Sequence, residues 1–252
     1  MVPGPGLPGA RAQDTNTQVS LEEQKEGIEE YAHICGASVL NDNWALTAAH
    51  CFLESDNSEF QTRAGSVDNG KGGTVHDVVK IIAHEDFGEE SSFNNDIAVI
   101  KVGKPYTSNS YVKFVKLPKP GANIKAGIKV IATGWGITTL RADDNVASEI
   151  LLDVTLDVID NEICQKAEFF VRIRAEDPEG ADITDNMFCT LTEGKDTGAG
   201  DSGGPILARQ SGDLIQIGIV SYGEGSGHLD APGMYTKVSK YRDWISNEIS
   251  SD

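Results

Sequence analysis

No run of apolar residues in this chain approaches the roughly 20 that a membrane-spanning helix needs, so a membrane partner is not expected. Positive charge is scarce. Lys and Arg number 21 against 39 Asp and Glu, a formal net of −18. A phosphate backbone would be repelled by that balance, which argues against nucleic acid as a partner. The acidic surplus reads as a device for solubility, or as a field that draws cationic substrates. Cysteines are few as well. None of the four, Cys35, Cys51, Cys164 and Cys189, sits in a Cys-x-x-Cys spacing, so zinc is not expected. They can pair in three ways. Nearest-neighbour pairing, Cys35–Cys51 with Cys164–Cys189, is the simplest, and two disulfides suit an oxidising compartment. The first ten residues, punctuated by Pro and Gly, lack the apolar stretch of a secretion signal. The cysteines still favour a secreted, extracellular protein whose signal is missing from this sequence.

What is present is a chain of 252 residues with 39% hydrophobic content, enough for one large core or two modest ones. Residues 1–17 show no apolar period and are expected to be flexible. After them come short β-type runs separated by turn residues, among them Trp44–Thr47, Thr74–Ile82, Ile97–Val102, Leu152–Val158 and Met234–Val238. Leu152, Val154, Leu156 and Val158 alternate with polar neighbours, the period of a half-buried strand. Such runs predict an antiparallel barrel or sandwich. The Pro-, Gly- and Lys-rich segment 116–127 divides the chain into two all-β domains, 18–115 and 128–237. Only the tail, 238–252, reads as a helix: Val238, Tyr241, Ile245 and Ile249 recur at three- and four-residue steps, with Ser239 as N-cap. The run Glu22-Glu-Gln-Lys-Glu-Gly-Ile-Glu-Glu30 is expected to be a solvated acidic loop.

Three segments carry chemistry. Hydrolysis of an amide by a serine needs a base, a group that holds the base in the right tautomer, and donors for the oxyanion. His50 in Thr47-Ala-Ala-His-Cys51 could be the base, although a histidine beside a cysteine is often structural. Asp96, at the mouth of the apolar run Ile97–Ile100, could orient it or simply cap a strand. Ser202 in Gly200-Asp-Ser-Gly-Gly-Pro205 is the specific signal, because glycines around it let backbone N–H groups approach a bound carbonyl.

In the order His, Asp, Ser, these segments resemble the trypsin/chymotrypsin family of serine peptidases. Further matches are Gln18-Val-Ser-Leu21, His33-Ile-Cys-Gly36, Thr133-Gly-Trp-Gly136, Ser221-Tyr-Gly223 and Pro232-Gly-Met-Tyr-Thr236. The resemblance implies an all-β fold of two antiparallel six-stranded barrels and a C-terminal α-helix, with the active site between the barrels. It implies a triad of His50, Asp96 and Ser202, supported by the Ser221 hydroxyl, and an oxyanion hole from the N–H groups of Gly200 and Ser202. Asp196 falls where trypsin-like members keep an acid at the base of the primary pocket, and Gly223 and Gly233 where they keep its walls open. Cleavage of protein or peptide substrates after Lys or Arg follows as an expectation, as does control by protein inhibitors. No cofactor or metal is expected, since the segment Ser66–Gly73 lacks the acids of the family's calcium loop. A monomer is expected.

The family pattern breaks at two places. Gly198 and Ser226 stand where a pocket-bracing disulfide usually lies, so the pocket should be looser. Nothing before Gln18 resembles the Ile-Val-Gly-Gly amino terminus that cleavage of the zymogen frees to meet the acid before the nucleophile, here Asp201. An uncompensated carboxylate there should let the oxyanion loop relax. The expectations are an amino terminus that differs from the given one, a catalytically latent homologue that binds proteins, or another activation route. A small-molecule esterase is a third functional class.

Overall fold

In the computed structural model, the described residues are 10–11, 16–53, 59–89, 91–138, 146–176, 182–225 and 227–250. Six strands form the first barrel: β2 (Gln18–Gln24), β3 (Ala32–Val39), β4 (Trp44–Thr47), β5 (Glu59–Ala64), β6 (Thr74–Ala83) and β7 (Ala98–Val102). Their order is β2-β3-β4-β7-β6-β5, and β5 closes on β2 with Val19 opposite Ala64. The second barrel contains β8 (Lys129–Gly134), β9 (Leu152–Ile159), β10 (Met187–Thr190), β11 (Pro205–Gln210), β12 (Asp213–Tyr222) and β13 (Gly233–Lys237). Its order is β9-β10-β13-β12-β11-β8, closed by β8 on β9. All strand pairings are antiparallel, and closure of each set of six strands gives every one of them two neighbours. The expected two six-stranded barrels are therefore present.

β9 shows why pattern sets register. Leu152, Val154, Leu156 and Val158 are buried while Asp153, Thr155, Asp157 and Ile159 are half-exposed, so a one-residue slip would turn Asp153, Thr155 and Asp157 inward. Within 1–17, read as flexible, Ala10–Arg11 forms a short strand, β1, opposite Asp153 and Leu152 of β9. Residues 103–128 run from one barrel to the other with no regular element beyond a bridge of Lys116 to Ile215.

Two helical elements escaped the sequence reading: α1 (Asn161–Cys164) and α2 (Glu168–Glu176). The terminal helix α3 spans Arg242–Ser250, shorter than expected, after a 3-10 turn at Val238–Lys240. Ser239 does not cap it; its hydroxyl donates to Ala122 O at 2.8 Å. Val238, Tyr241 and Ile245 are buried in the same apolar cluster as Val19, Leu46 and Val99, so the last helix packs on the first barrel. All four cysteines are paired, Cys35 with Cys51 and Cys164 with Cys189, the nearest-neighbour arrangement.

Candidate active site

Asp96 is fully buried at the entry to β7, and burying a carboxylate is unfavourable by several kcal/mol unless donors surround it. Three donors do. His50 N reaches Oδ1 at 2.9 Å, His50 Nδ1 reaches Oδ2 at 2.8 Å, and the Ser221 hydroxyl from β12 donates to Oδ2 at 2.5 Å. The Asp96 carbonyl accepts from Thr236 Oγ1 of β13 at 2.8 Å. His50 lies in the 3-10 turn Ala49–Phe52 that follows β4, and the Cys35–Cys51 disulfide ties that turn to β3. With Nδ1 committed to Asp96, Nε2 of the neutral ring carries the free lone pair. The ring is still partly open to solvent, and the edge of Phe93 meets it at 6.0 Å.

Ser202 sits between β10 and β11 in a loop bent by Gly200 (φ 92°) and Gly203 (φ 74°). Its carbonyl accepts from Gly36 N at 2.7 Å, and a Cβ on Gly203 would overlap Thr47 Oγ1, two residues from the His50 turn. The loop thus lies against the segment that carries His50. No hydrogen bond joins Ser202 Oγ to His50 Nε2 among the described residues. Such bonds are often long without substrate.

Both peptide planes flanking Gly200 are fixed. Ala199 O accepts from Ile137 N at 2.8 Å, and Gly200 O lies 2.8 Å from His33 Nε2. His33 is held on its other side by Ser20 Oγ at 2.7 Å, and burial lowers its basicity, which keeps the ring neutral. The N–H groups of Gly200 and Ser202 make no hydrogen bond to the described residues, so both remain able to donate. Asp201 is fully buried, with Oδ1 accepting from Gly136 N and Oδ2 from Gly198 N, each at 2.8 Å. A side chain at Gly134 or Gly136 would overlap that carboxylate. Backbone donors and close-packed glycines hold this loop.

Asp196, Gly223 and Gly233 are brought together. Asp196 is 3% exposed; its Oδ1 accepts from Thr197 N at 2.8 Å, while Oδ2 is buried with no hydrogen-bond partner among the described residues. Desolvation pushes this carboxyl up to about 7. A Cβ on Gly233 would come within 2.7 Å of Asp196 Oδ1, and one on Gly223 within 3.2 Å of Gly233 Cα. Either addition would narrow the space above the acid. Gly198, expected where a bracing cysteine usually lies, donates its N–H to Asp201 Oδ2, and Ser226 lies outside the described residues. Backbone segments come close here: Gly194 N donates to Gly227 O at 2.8 Å, and a Cβ on Gly225 would lie 3.2 Å from Thr197 O and 3.3 Å from Gly198 Cα.

Two expectations are corrected. Glu22 and Glu23 are buried in β2, and Glu22 accepts from Arg63 Nε at 2.7 Å and Gln61 Nε2 at 2.6 Å, so the solvated acidic stretch begins at residue 25. His76 lies outside every motif quoted above, where a surface or loop place is the default; instead it is 2% exposed, with Nδ1 2.7 Å from Lys104 O and its ring on Tyr106. Sequence reasoning did not single out His33, Asn95, Thr236 or Phe93 individually. His33 and Thr236 stood inside quoted motifs, which was the available signal.

The trypsin family model matches residues 7–245. The chain is 35% identical to "Trypsin Blo t 3" of Blomia tropicalis over 239 residues, covering 93% of this chain and 82% of that protein. It is 35% identical to "Trypsin" of Phaedon cochleariae, covering 86% of this chain and 79% of the relative. It is 31% identical to human "Transmembrane protease serine 11B", covering 86% of this chain and 50% of the relative. Among the described residues no helix is long and apolar enough to cross a membrane. With the two closed barrels and the acid–imidazole pair between them, these matches show that the chain belongs to the trypsin family and is a serine endopeptidase.

Proposed function

We propose that this enzyme cleaves protein chains after Lys or Arg through a triad of Ser202, His50 and Asp96. The observation that carries the specificity is the buried Asp196 carboxylate with one oxygen unpartnered, beneath walls kept open by Gly223 and Gly233. A guanidinium or ammonium entering this space supplies the missing donors and counter-charge. An uncharged side chain leaves the acid desolvated and alone.

His50 Nε2 takes the proton of Ser202 Oγ as the oxygen attacks the carbonyl carbon. The oxyanion that forms accepts from the N–H groups of Gly200 and Ser202. Protonated His50 then gives that proton to the departing amine, and the C–N bond breaks to leave an acyl-serine. A water molecule, deprotonated by His50, releases the acid and restores the hydroxyl. Asp96 holds the imidazole tautomer throughout and offsets its transient charge. In this reading the enzyme is a secreted monomer, activated from a zymogen and controlled by protein inhibitors.

Fluorogenic peptides with Arg, Lys, Phe or Ala before the scissile bond test the proposal, with a covalent serine-hydrolase probe run in parallel. Arg and Lys peptides should turn over and Ser202 should be labelled, both lost in Ser202→Ala. Preference for Phe or Ala would overturn the pocket assignment. Silence of both assays, before and after trypsin treatment, would identify a latent homologue.

A further inference from the structure

Asp96 stands at the apex of a three-residue turn closed by Ile97 N donating to Asn95 O at 2.8 Å. The residue before it therefore sets where the carboxylate sits. Asn95 has φ 58°, a left-handed conformation that asparagine tolerates better than most side chains. Its side chain also ties three separate segments. Nδ2 donates to Asp86 O at 2.8 Å in the first barrel. Oδ1 accepts from the Tyr241 hydroxyl at 2.8 Å, just before α3, and from Asn186 Nδ2 at 3.3 Å, just before β10. Asn186 also donates to Asn94 Oδ1 at 3.1 Å. Asp96 and His50 belong to one barrel, while Ser221 and Ser202 belong to the other, so the triad is assembled across this seam.

Resting on the proposed Ser202–His50–Asp96 reading, we infer that Asn95 is a positioning residue. It is a clamp that fixes the Asp96 carboxylate against His50 Nδ1 by anchoring its turn to both barrels and to the segment leading into α3. It touches no substrate. Its loss lets the carboxylate drift from the imidazole, which weakens the base without altering substrate binding.

Two variants separate backbone from side chain. Asn95→Gly keeps the left-handed turn and removes the clamp; Tyr241→Phe removes a single oxygen and keeps the ring. Each is read by kcat and KM on an Arg peptide, and by the proton NMR resonance of the His50 Nδ1–H bonded to Asp96, with circular dichroism to check the fold. Both variants should lower kcat about tenfold with KM within twofold, and should shift or broaden that resonance. The double variant should lose little beyond Asn95→Gly alone, because the two share one bond. Folded variants with unchanged kcat and unchanged resonance would overturn the clamp, as would an effect confined to KM. Should Asn95→Gly not fold, Tyr241→Phe decides alone. A wild-type protein without turnover would overturn the functional reading, while the resonance would still test the clamp.

Discussion

At Asp196 the sign of the pH dependence follows from burial. Its ordinary value is 3.8, and in the folded protein it is about 7. The folded state therefore holds this proton more tightly than the unfolded chain. That stabilisation is complete below about pH 4 and is lost as pH rises towards 7. Asp196→Asn should remove the decline and raise stability at pH 8 by on the order of 2–4 kcal/mol, measured by urea unfolding, while abolishing Arg turnover. In the intact enzyme, benzamidine binding should weaken as pH falls below 7, because protonation neutralises the group it pairs with. Tyr222 gives a second case. Its hydroxyl is buried without a hydrogen-bond partner among the described residues, while its ring stacks on Phe93 at 4.4 Å. Tyr222→Phe should keep the stack and raise stability by about 1 kcal/mol in the same unfolding assay. The pairing of His50 with Asp96 was legible because a motif encloses each residue. Glu22 was not, because the arginine that neutralises it lies 41 positions away and only barrel closure brings it near.

Between strands, the Glu22–Arg63 pair couples β2 to β5, and Arg63 Nη1 extends the link to Gly72 O at 3.0 Å. Glu22→Gln should keep part of the hydrogen bonding and cost little, whereas Arg63→Ala should lower stability by about 3–5 kcal/mol by stranding a buried carboxylate. Thermal denaturation checks both. Strand β9 could be read from sequence because its apolar alternation is uninterrupted from Leu152 to Val158. Helix α2 could not. Phe169-Phe170-Val171 has the composition of a strand, and tertiary docking overrides that propensity. Phe170 is fully buried with its ring on Tyr222, and Phe169 N donates to Asp230 O at 3.0 Å. The terminal helix lay within reach of its stripe, but its start did not, since Ser239 spends its hydroxyl on the distant Ala122 carbonyl.

For the molecule as a whole, the charge of −18 should act on the rate of encounter more than on the chemistry. Raising salt from 0.01 to 0.15 M shortens the screening length from about 30 Å to about 8 Å. The kcat/KM for a dicationic Arg peptide should fall severalfold over that range, and that of a zwitterionic Arg peptide should fall less. The packing of α3 on the first barrel sets a limit of another kind. A ribosome releases α3 only after every strand has emerged, so the first barrel waits, with part of its interior uncovered, for that helix to arrive. Cutting the gene between the barrels would therefore yield a front fragment that aggregates, and trimming the tail would harm the half of the protein made first.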